Sequence, residues 1–310
     1  MKELSASGSP LPMLAVRAFH LAPNFVAALD KNKVAHPATR ISESFWSVAE
    51  QLHEMLIALD FDGLDGQAEA RRKRNILGST ELLMHRCAAL NDYLGVLMRT
   101  LLPSVPERKM GADANAAKRR LDAHINRLYK IPINFIKHEG FGLSWIEMSF
   151  KDLVTHGYMV TGPIGDGVQG SVKFLRPGRD DPEGYSFALT LREVLPAMYQ
   201  MCAIAEEVLA DAGILPTAMI PLSAAYDASD ARGILLVEML ELLNRLPLRG
   251  FPDEHRVRVP IFSLQGGSVT ARTAPLRKLP GTFKIQSELR SVRKGGTYKL
   301  PYWKSAEPGP

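Results

Sequence analysis

Apolar residues recur three or four positions apart in several long stretches of the chain, which is the spacing of one face of an α-helix. The pattern predicts helices over residues 42–60, 67–102, 112–139, 186–210 and 229–246. Pro132 falls inside the third of these stretches. Because proline removes a helical hydrogen bond, it predicts a kink or a change of helix just before Ile133, and Gly140 then provides the C-terminal stop.

The pattern changes after Gly140 and again after Pro247. Residues 141–150 and 157–160 mix aromatic and apolar residues at short spacing, and turn formers crowd residues 162–170, which predicts an inserted antiparallel hairpin or meander. Beyond Pro247, strands are predicted at 255–264 and 268–272, with a further hairpin over 283–302 that turns at 294–296.

Together these elements predict an α+β protein that is mainly α: a helical bundle with an inserted β-hairpin or meander and a basic, β-rich C-terminal appendage. The bundle spans residues 13–246, with the insertion at about 141–176, and the C-terminal unit spans 247–310. Residues 1–12 are small and polar and are predicted to form a disordered tail.

Cysteine usage limits the chemistry available. The chain has two cysteines, Cys87 and Cys202, each alone in an apolar helical stretch, so a disulfide framework and a multi-cysteine zinc site are excluded. We therefore expect no metal and no cofactor. Two interpretations of the thiols stay open: buried groups in a reducing compartment, or a reactive, regulatory thiol.

Neither a targeting segment nor a membrane span is evident in the sequence. The apolar stretch at 11–21 is interrupted by Pro12, Arg17 and His20, and the apolar run at 234–243 contains two glutamates. We expect a cytoplasmic protein that does not enter a membrane.

Charge is distributed unevenly along the chain. The formal net charge is +5, but from residue 249 onward twelve basic residues face four acidic ones, giving +8 and leaving −3 for residues 1–248. The candidate nucleic-acid-binding residues in this basic end are Arg256, Arg258, Lys284, Arg290, Arg293, Lys294 and Lys299.

Aromatic residues alternate with these cations, namely Phe251, Phe262, Phe283, Tyr298, Tyr302 and Trp303. Strands that present cations and exposed rings hold phosphates and stack bases in many proteins that bind RNA or single-stranded DNA. Two alternatives stay open: an ordinary solvated surface over buried aromatic residues, or a surface that binds an acidic protein partner. A homo-oligomer also stays open.

A glycine pattern at residues 165–170 has the G-x-G-x-x-G spacing of dinucleotide-binding loops. That motif needs a helix after it, whereas the following residues 171–174 favour a strand. We therefore predict a hairpin turn here and no bound nucleotide.

Arg119 and His124 form an Arg-x(4)-His pair on the third predicted helix. The pair resembles the Arg-x(4 to 6)-His motif of HEPN ribonucleases, helical bundles of bacterial toxin and phage-defence systems. In that family, the pairs of two protomers meet at a dimer interface and cleave RNA without a metal. The alternative is that both residues belong to the solvated face of an amphipathic helix.

A second candidate site comprises Asn134, Lys137 and His138 at the end of the same helix. An Asn-x-x-Lys-His sequence, followed by a strand pair containing Gly157 and Tyr158 and then another helix, resembles uncharacterised bacterial HEPN-like proteins over about residues 80–210. Lys137 and His138 also suit the negative end of a helix dipole. In a pocket, His138 could instead act as a general base and Asn134 could orient a phosphate.

These observations favour a non-enzymatic protein associated with RNA or single-stranded DNA, in a bacterial defence or toxin–antitoxin setting. Any enzymatic activity would be that of a metal-independent HEPN-like ribonuclease. The alternative is an interaction or structural protein whose basic C-terminal unit docks an acidic partner.

Overall fold

A computed structural model describes residues 2–59, 66–104, 110–164, 167–170, 183–216 and 230–288. Over these residues the protein is α+β and mainly α, as predicted. The described helices are α1 (Met13–Ala18), α2 (Pro23–Lys31), α3 (Pro37–Ala58), α4 (Gly66–Leu101), α5 (Met110–Ile125), α6 (Ile131–Glu139), α7 (Phe187–Asp211) and α8 (Ala231–Arg245).

The strands form two antiparallel sheets. They are β1 (Lys2–Glu3), β2 (Gly142–Phe150), β3 (Leu153–Ile164), β4 (Gly167–Gly170), β5 (Gly184–Ser186), β6 (Arg258–Gln265), β7 (Ser268–Pro275) and β8 (Lys284–Glu288). One sheet has the order β1-β7-β6, and the other has the order β4-β3-β2-β8, with β5 also paired to β3.

The predicted helices and the inserted hairpin are confirmed, with shifted ends. The helix predicted over 112–139 is divided where the sequence indicated, because a π-helical turn, Asn126–Lys130, separates α5 from α6 and places Pro132 in the first turn of α6. Proline is tolerated there because the N–H groups of a first turn have no partner within the helix. Gly140 ends α6 in the left-handed conformation, with a φ of 71°.

Residues 2–12 differ from the predicted disordered tail. Lys2–Glu3 pair with β7, and Ser5 accepts a hydrogen bond from the Val269 N–H at 2.8 Å. The Tyr199 hydroxyl donates to the Pro10 carbonyl at 2.6 Å. Small polar side chains therefore order this segment through hydrogen bonds to distant parts of the chain, which hydrophobicity alone does not reveal.

The β2–β3 hairpin is buried on both faces. Trp145, Tyr158 and Val160 belong to the main hydrophobic cluster, which also includes residues of the helices and of the β6–β7 hairpin. On the other face, Ile146 and other residues of both strands pack with Phe251 and Leu279 in a second, smaller cluster. The central hairpin thus lies between the main cluster and the smaller cluster that contains Phe251 and Leu279.

Several contacts cross the predicted boundary at residue 246. β8 adds to the central sheet through β2, and the buried guanidinium of Arg192 on α7 donates to the carbonyls of Leu246 and Pro260 at 2.6 and 3.2 Å. A separate C-terminal unit at 247–310 stays a prediction. Within the described part of the chain, no helix is long and apolar enough to cross a membrane.

Candidate nucleic-acid interface

Three backbone segments lie side by side where α8 leads into the C-terminal hairpin. The Arg277 N–H donates to the Leu248 carbonyl at 2.9 Å, and the Gly250 N–H donates to the Arg277 carbonyl at 3.1 Å. On the other side, the Leu276 N–H donates to the Val257 carbonyl at 2.8 Å, and the Arg256 N–H donates to the Leu276 carbonyl at 3.2 Å. This pairing gathers basic residues that are distant in sequence.

We call the resulting group the basic junction: Arg249, Arg256, Arg258, Arg277 and Lys278. The side chain of Arg249 is half-buried and the other four are exposed. Among the described residues, none of the five forms an ion pair, so their charges are not neutralised by neighbouring carboxylates in that part of the chain. Such a cluster attracts polyanions.

Hydrogen bonds hold two members of the basic junction in place. Arg256 has a φ of 74°, which is uncommon for a residue with a side chain, and its own hydrogen bond to Leu276 helps to hold that conformation. The Arg258 side chain donates through Nε to Thr273 Oγ1 at 3.0 Å and through Nη2 to the Thr273 carbonyl at 3.2 Å.

The remaining predicted nucleic-acid contacts are only partly described. Lys284 is exposed on β8. Arg290, Arg293, Lys294 and Lys299 lie outside the described residues, as does most of the hairpin predicted over 283–302. The part of that hairpin that is described, β8, pairs with β2.

The aromatic residues of the described C-terminal segment do not offer exposed rings. Phe251 and Phe262 are buried, and Phe283 packs against the second hydrophobic cluster. Of the interpretations left open by the sequence, burial in the core therefore holds for these three rings, because each packs on a sheet face that would otherwise be exposed to water. Tyr298, Tyr302 and Trp303 lie outside the described residues.

The candidate catalytic residues are spread over two helices. Arg119 is exposed on α5; His124 is also on α5, and its side chain lies outside the described part. Asn134, Lys137 and His138 are exposed on α6. None of these five residues lines a cavity described below, and a catalytic role for them stays a prediction.

Two cavities flank the basic junction. The first has a volume of about 390 Å³ and is lined by Arg258 together with Glu183, Tyr185, Glu193 and Glu254. Glu254 accepts hydrogen bonds from the N–H groups of Ser186 and Phe251, both at 2.8 Å, and so has a structural role. Burial raises the pKa of Glu193 to about 7, so this carboxyl changes charge near neutral pH.

The second cavity has a volume of about 220 Å³ and is lined by Arg249 together with Thr155, His156, Phe187 and Leu246. His156 Nδ1 lies 3.5 Å from Glu147 Oε2, and Lys73 Nζ lies 3.8 Å from the same oxygen. Burial, with the nearby Lys73 charge, lowers the pKa of His156 to about 4, so the imidazole is neutral at pH 7.

No local sequence pattern indicates either cavity. Thr155 and His156 are neighbours on β3, but Phe187 and Arg249 reach the same cavity from the start of α7 and from the segment after α8. Only the charge surplus of the C-terminal end pointed to this region.

The remaining motifs have structural positions. β4 pairs antiparallel with β3, as expected for a hairpin, and contains the described part of the glycine pattern, Gly167–Gly170. Residues 165 and 166 of the pattern and the strand predicted at 171–174 lie outside the described residues. Cys87 and Cys202 are buried, and burial raises both pKa values, that of Cys87 to about 12. The described residues contain no group of three or more histidine, cysteine, aspartate or glutamate side chains placed to hold a metal ion.

Comparison with known proteins assigns the chain to no family. No protein-family model matches the sequence, and no curated protein and no solved structure matches it either.

Proposed function

We propose that the protein binds single-stranded nucleic acid, RNA or DNA, through phosphate contacts at the basic junction. The observation that carries the proposal is the set of five cations, four of them exposed, for which the described residues provide no ion pair. Neutralising phosphates with lysine and arginine releases counterions, and this supplies most of the affinity of sequence-independent binding.

The burial of Phe251 and Phe262 bears on the kind of binding expected. Without these rings as stacking platforms, base-specific contacts contribute less and phosphate contacts contribute more. We therefore expect binding that depends steeply on salt and weakly on sequence. A bacterial defence or toxin–antitoxin setting stays part of the proposal and rests on the HEPN-like resemblance.

Fluorescence anisotropy with labelled single-stranded RNA and DNA, measured at several salt concentrations, tests the proposal. The informative variant replaces four exposed members of the basic junction with glutamine: Arg256, Arg258, Arg277 and Lys278. We expect its affinity to fall by at least about tenfold and its salt slope to decrease by up to about 3, since each lost contact to a single strand removes about 0.7.

The matched control removes four exposed positive charges elsewhere, by Lys31→Gln, Lys33→Gln, Arg71→Gln and Arg74→Gln, and is expected to bind nearly as well as wild type. Unchanged binding by the junction variant would refute the proposal. Equal affinity of the wild type for RNA and for polyglutamate would instead favour an acidic protein partner.

A further inference from the structure

Another cavity lies between α3 and α4. Two hydrogen bonds show that these helices run antiparallel: Arg86 Nη1 donates to the Ser47 carbonyl, and the Tyr93 hydroxyl donates at 2.8 Å to the carbonyl of Ala35, just before α3. The cavity has a volume of about 170 Å³ and is lined by Arg40, Glu43, Ser44, Ser47, Arg86 and Ala89.

The spacing of the lining residues explains how the two helices form this cavity. Arg40, Ser44 and Ser47 follow one another at four and three positions, so they lie along one face of α3. Arg86 and Ala89 are three positions apart on the facing helix α4. The side chain of Ala89 ends at Cβ, and this short side chain leaves open the space that a longer one would fill.

The two guanidinium groups have hydrogen-bond donors to spare. Arg86 donates to the Ser47 carbonyl and has no other hydrogen bond or ion pair in the described part of the chain. Arg40 Nη1 lies 3.9 Å from Glu43 Oε2, which is beyond hydrogen-bond distance. Both cations therefore line the cavity with most of their N–H groups unused by the protein.

The two serine hydroxyls are also available as donors. A hydroxyl within a helix commonly bonds a carbonyl one turn earlier, as that of Thr80 does with Ile76 at 2.7 Å. The Ser44 and Ser47 hydroxyls form no such bond, and they have no other hydrogen-bond partner among the described residues. The cavity thus combines two positive groups and two hydroxyls that a ligand can use.

The charge of the lining favours an anion. Two arginines face one carboxylate, that of Glu43, whose side chain is 63% exposed, so water weakens its electrostatic effect on the cavity. A guanidinium presents parallel N–H groups that match two oxygens of a phosphate. Guanidinium groups from two helices, with hydroxyls beside them, suit an anion whose oxygens point in several directions, as those of a phosphate do.

We propose that this cavity binds a phosphate group, held by Arg40, Arg86 and the hydroxyls of Ser44 and Ser47. Its volume is smaller than the roughly 300 Å³ at which pockets for drug-sized ligands begin. The ligand is therefore inorganic phosphate, or a small phosphorylated molecule whose remaining atoms lie outside the cavity.

This site is distinct from the basic junction. α3 runs parallel to α8, because Arg232 lies over the Trp46 ring at 5.4 Å and Glu238, further along α8, contacts His53 at 3.3 Å. The cavity thus lies towards the start of α8, whereas the basic junction follows the end of that 15-residue helix, which is about 20 Å long. The proposal does not depend on nucleic-acid binding.

Isothermal titration calorimetry of the full chain with inorganic phosphate tests the site, with acetate at equal ionic strength as the comparison. We expect saturable binding of phosphate and much weaker binding of acetate. Arg40→Gln should weaken phosphate binding by about tenfold or more, the effect of losing a hydrogen bond to a charged group. Arg99→Gln removes the same charge from an exposed position on α4 and should leave binding unchanged.

Three further variants separate binding from folding. Ser44→Ala removes one donor and Ala89→Leu fills the cavity without changing its charge, so both should weaken phosphate binding. Alanine and leucine are strong helix formers, so the thermal midpoints of both variants without phosphate should stay near that of wild type. Glu43→Gln removes the negative charge and should strengthen phosphate binding, which a purely structural role of these residues would not produce.

Several outcomes would overturn the proposal: no saturable phosphate binding by wild type, equal binding of acetate, or wild-type affinity in Arg40→Gln or Ala89→Leu. Loss of phosphate binding in the four-residue variant of the basic junction would also overturn it, because the anion would then bind there. Tighter binding of glycerol phosphate than of inorganic phosphate would identify a phosphorylated small molecule, and equal or weaker binding would identify free phosphate. None of these measurements uses nucleic acid, so a failure of single-strand binding would leave this site unaffected.

Discussion

Gly157 illustrates how a single residue fixes the position of the C-terminal segment. It lies on the face of β3 against which Phe251 packs, and a Cβ atom there would collide with the Phe251 ring and with the Tyr185 carbonyl oxygen. The Tyr185 carbonyl of β5 and the Phe251 ring can approach β3 this closely only because residue 157 has no side chain.

We predict that Gly157→Ala destabilises the protein by about 1–3 kcal/mol or more, because the added methyl group overpacks a site whose nearest neighbour is backbone. Urea denaturation followed by circular dichroism would measure this. The matched control is Gly78→Ala in α4, where a Cβ meets no atom within 4 Å, and which should stabilise the protein by about 0.5–1 kcal/mol. A tolerated Gly157→Ala would show that Phe251 does not pack as described.

Glu193 provides a residue-scale prediction about pH. Its carboxyl has a pKa of about 7 in the folded protein, raised by burial from an ordinary value of 4.5. Between these two values the folded chain holds a proton that the unfolded chain has released. The contribution of Glu193 to stability is therefore fully present below about pH 4.5 and is lost as the pH rises through 7.

Glu193→Gln should accordingly gain roughly 2–3 kcal/mol in unfolding free energy relative to wild type between pH 4.5 and pH 8. The quantity to measure is the difference in unfolding free energy between the variant and wild type at each pH. His156 is present in both proteins, and because its pKa is lowered, it reduces the stability of both as the pH falls from 6.5 to 4. Glu241→Gln on the exposed side of α8 should show no such pH-dependent difference. A flat difference for Glu193→Gln would mean that this carboxyl is ionised in the folded state at neutral pH.

At the scale of elements, α7 and the end of α8 are joined to β6 by polar side chains. Besides Leu246 and Pro260, the Arg192 guanidinium reaches the Asn244 carbonyl at 3.5 Å. The Asn244 amide in turn donates to the Phe262 carbonyl at 2.8 Å and accepts from the Phe262 N–H at 2.9 Å. The Asn244 side chain thus forms the pair of hydrogen bonds with β6 that a residue of a neighbouring strand would form. The Arg192 guanidinium donates to carbonyls at the C-terminal end of α8, where the helix dipole is negative.

We expect Arg192→Met to destabilise the protein by about 2–4 kcal/mol, because it leaves buried carbonyls without donors. Arg192→Lys should recover only part of this loss, since an ammonium group cannot reach divergent acceptors as a guanidinium does. Thermal unfolding of the three proteins, compared with Arg245→Met at an exposed position, provides the measurement. Stability equal to wild type for Arg192→Met would contradict a structural role for this group.

Elements were predicted best from the sequence where apolar periodicity extends over several helical turns or where one residue acts on its own backbone. Five helices showed several turns of apolar periodicity, and Pro132 marked the break between α5 and α6 because its effect on the backbone is local. The helices α1 and α2 were not predicted, since 6 and 9 residues give too few repeats for a periodic pattern. The pairing of β8 with β2 was not predictable either, because strand partners far apart in sequence are selected by packing.

At the scale of the whole molecule, the candidate site was predictable only as a charge surplus. The composition located the positive residues in the last fifth of the chain, but the basic junction arises from main-chain hydrogen bonds between segments up to about thirty residues apart. The cavity lined by Arg249 combines residues from β3, α7 and the segment after α8, and the cavity lined by Arg258 combines residues from β5, α7 and that same segment. No local pattern encodes such a combination. The sequence also left open whether Phe251 and Phe262 are exposed or buried, because side-chain burial depends on the same long-range packing.

The same charge surplus leads to a prediction about the end of the chain. Residues 249–310 carry +8 against −3 for the other 248 residues, so a bound polyanion should be attracted chiefly to this end. Replacing Arg290, Arg293, Lys294 and Lys299 with glutamine should weaken binding of single-stranded RNA and flatten its salt slope by up to about 3, if all four neutralise phosphates.

Two controls make this last measurement specific. Arg119→Ala and His138→Ala change the candidate catalytic residues on α5 and α6 and should leave both affinity and salt slope nearly unchanged. An RNA-cleavage assay on the same two variants then tests catalysis separately from binding. A four-residue variant that binds RNA as tightly as wild type, with the same salt slope, would restrict the interface to the basic junction. If the variant of the basic junction also binds RNA with unchanged affinity and salt slope, the nucleic-acid proposal has no support.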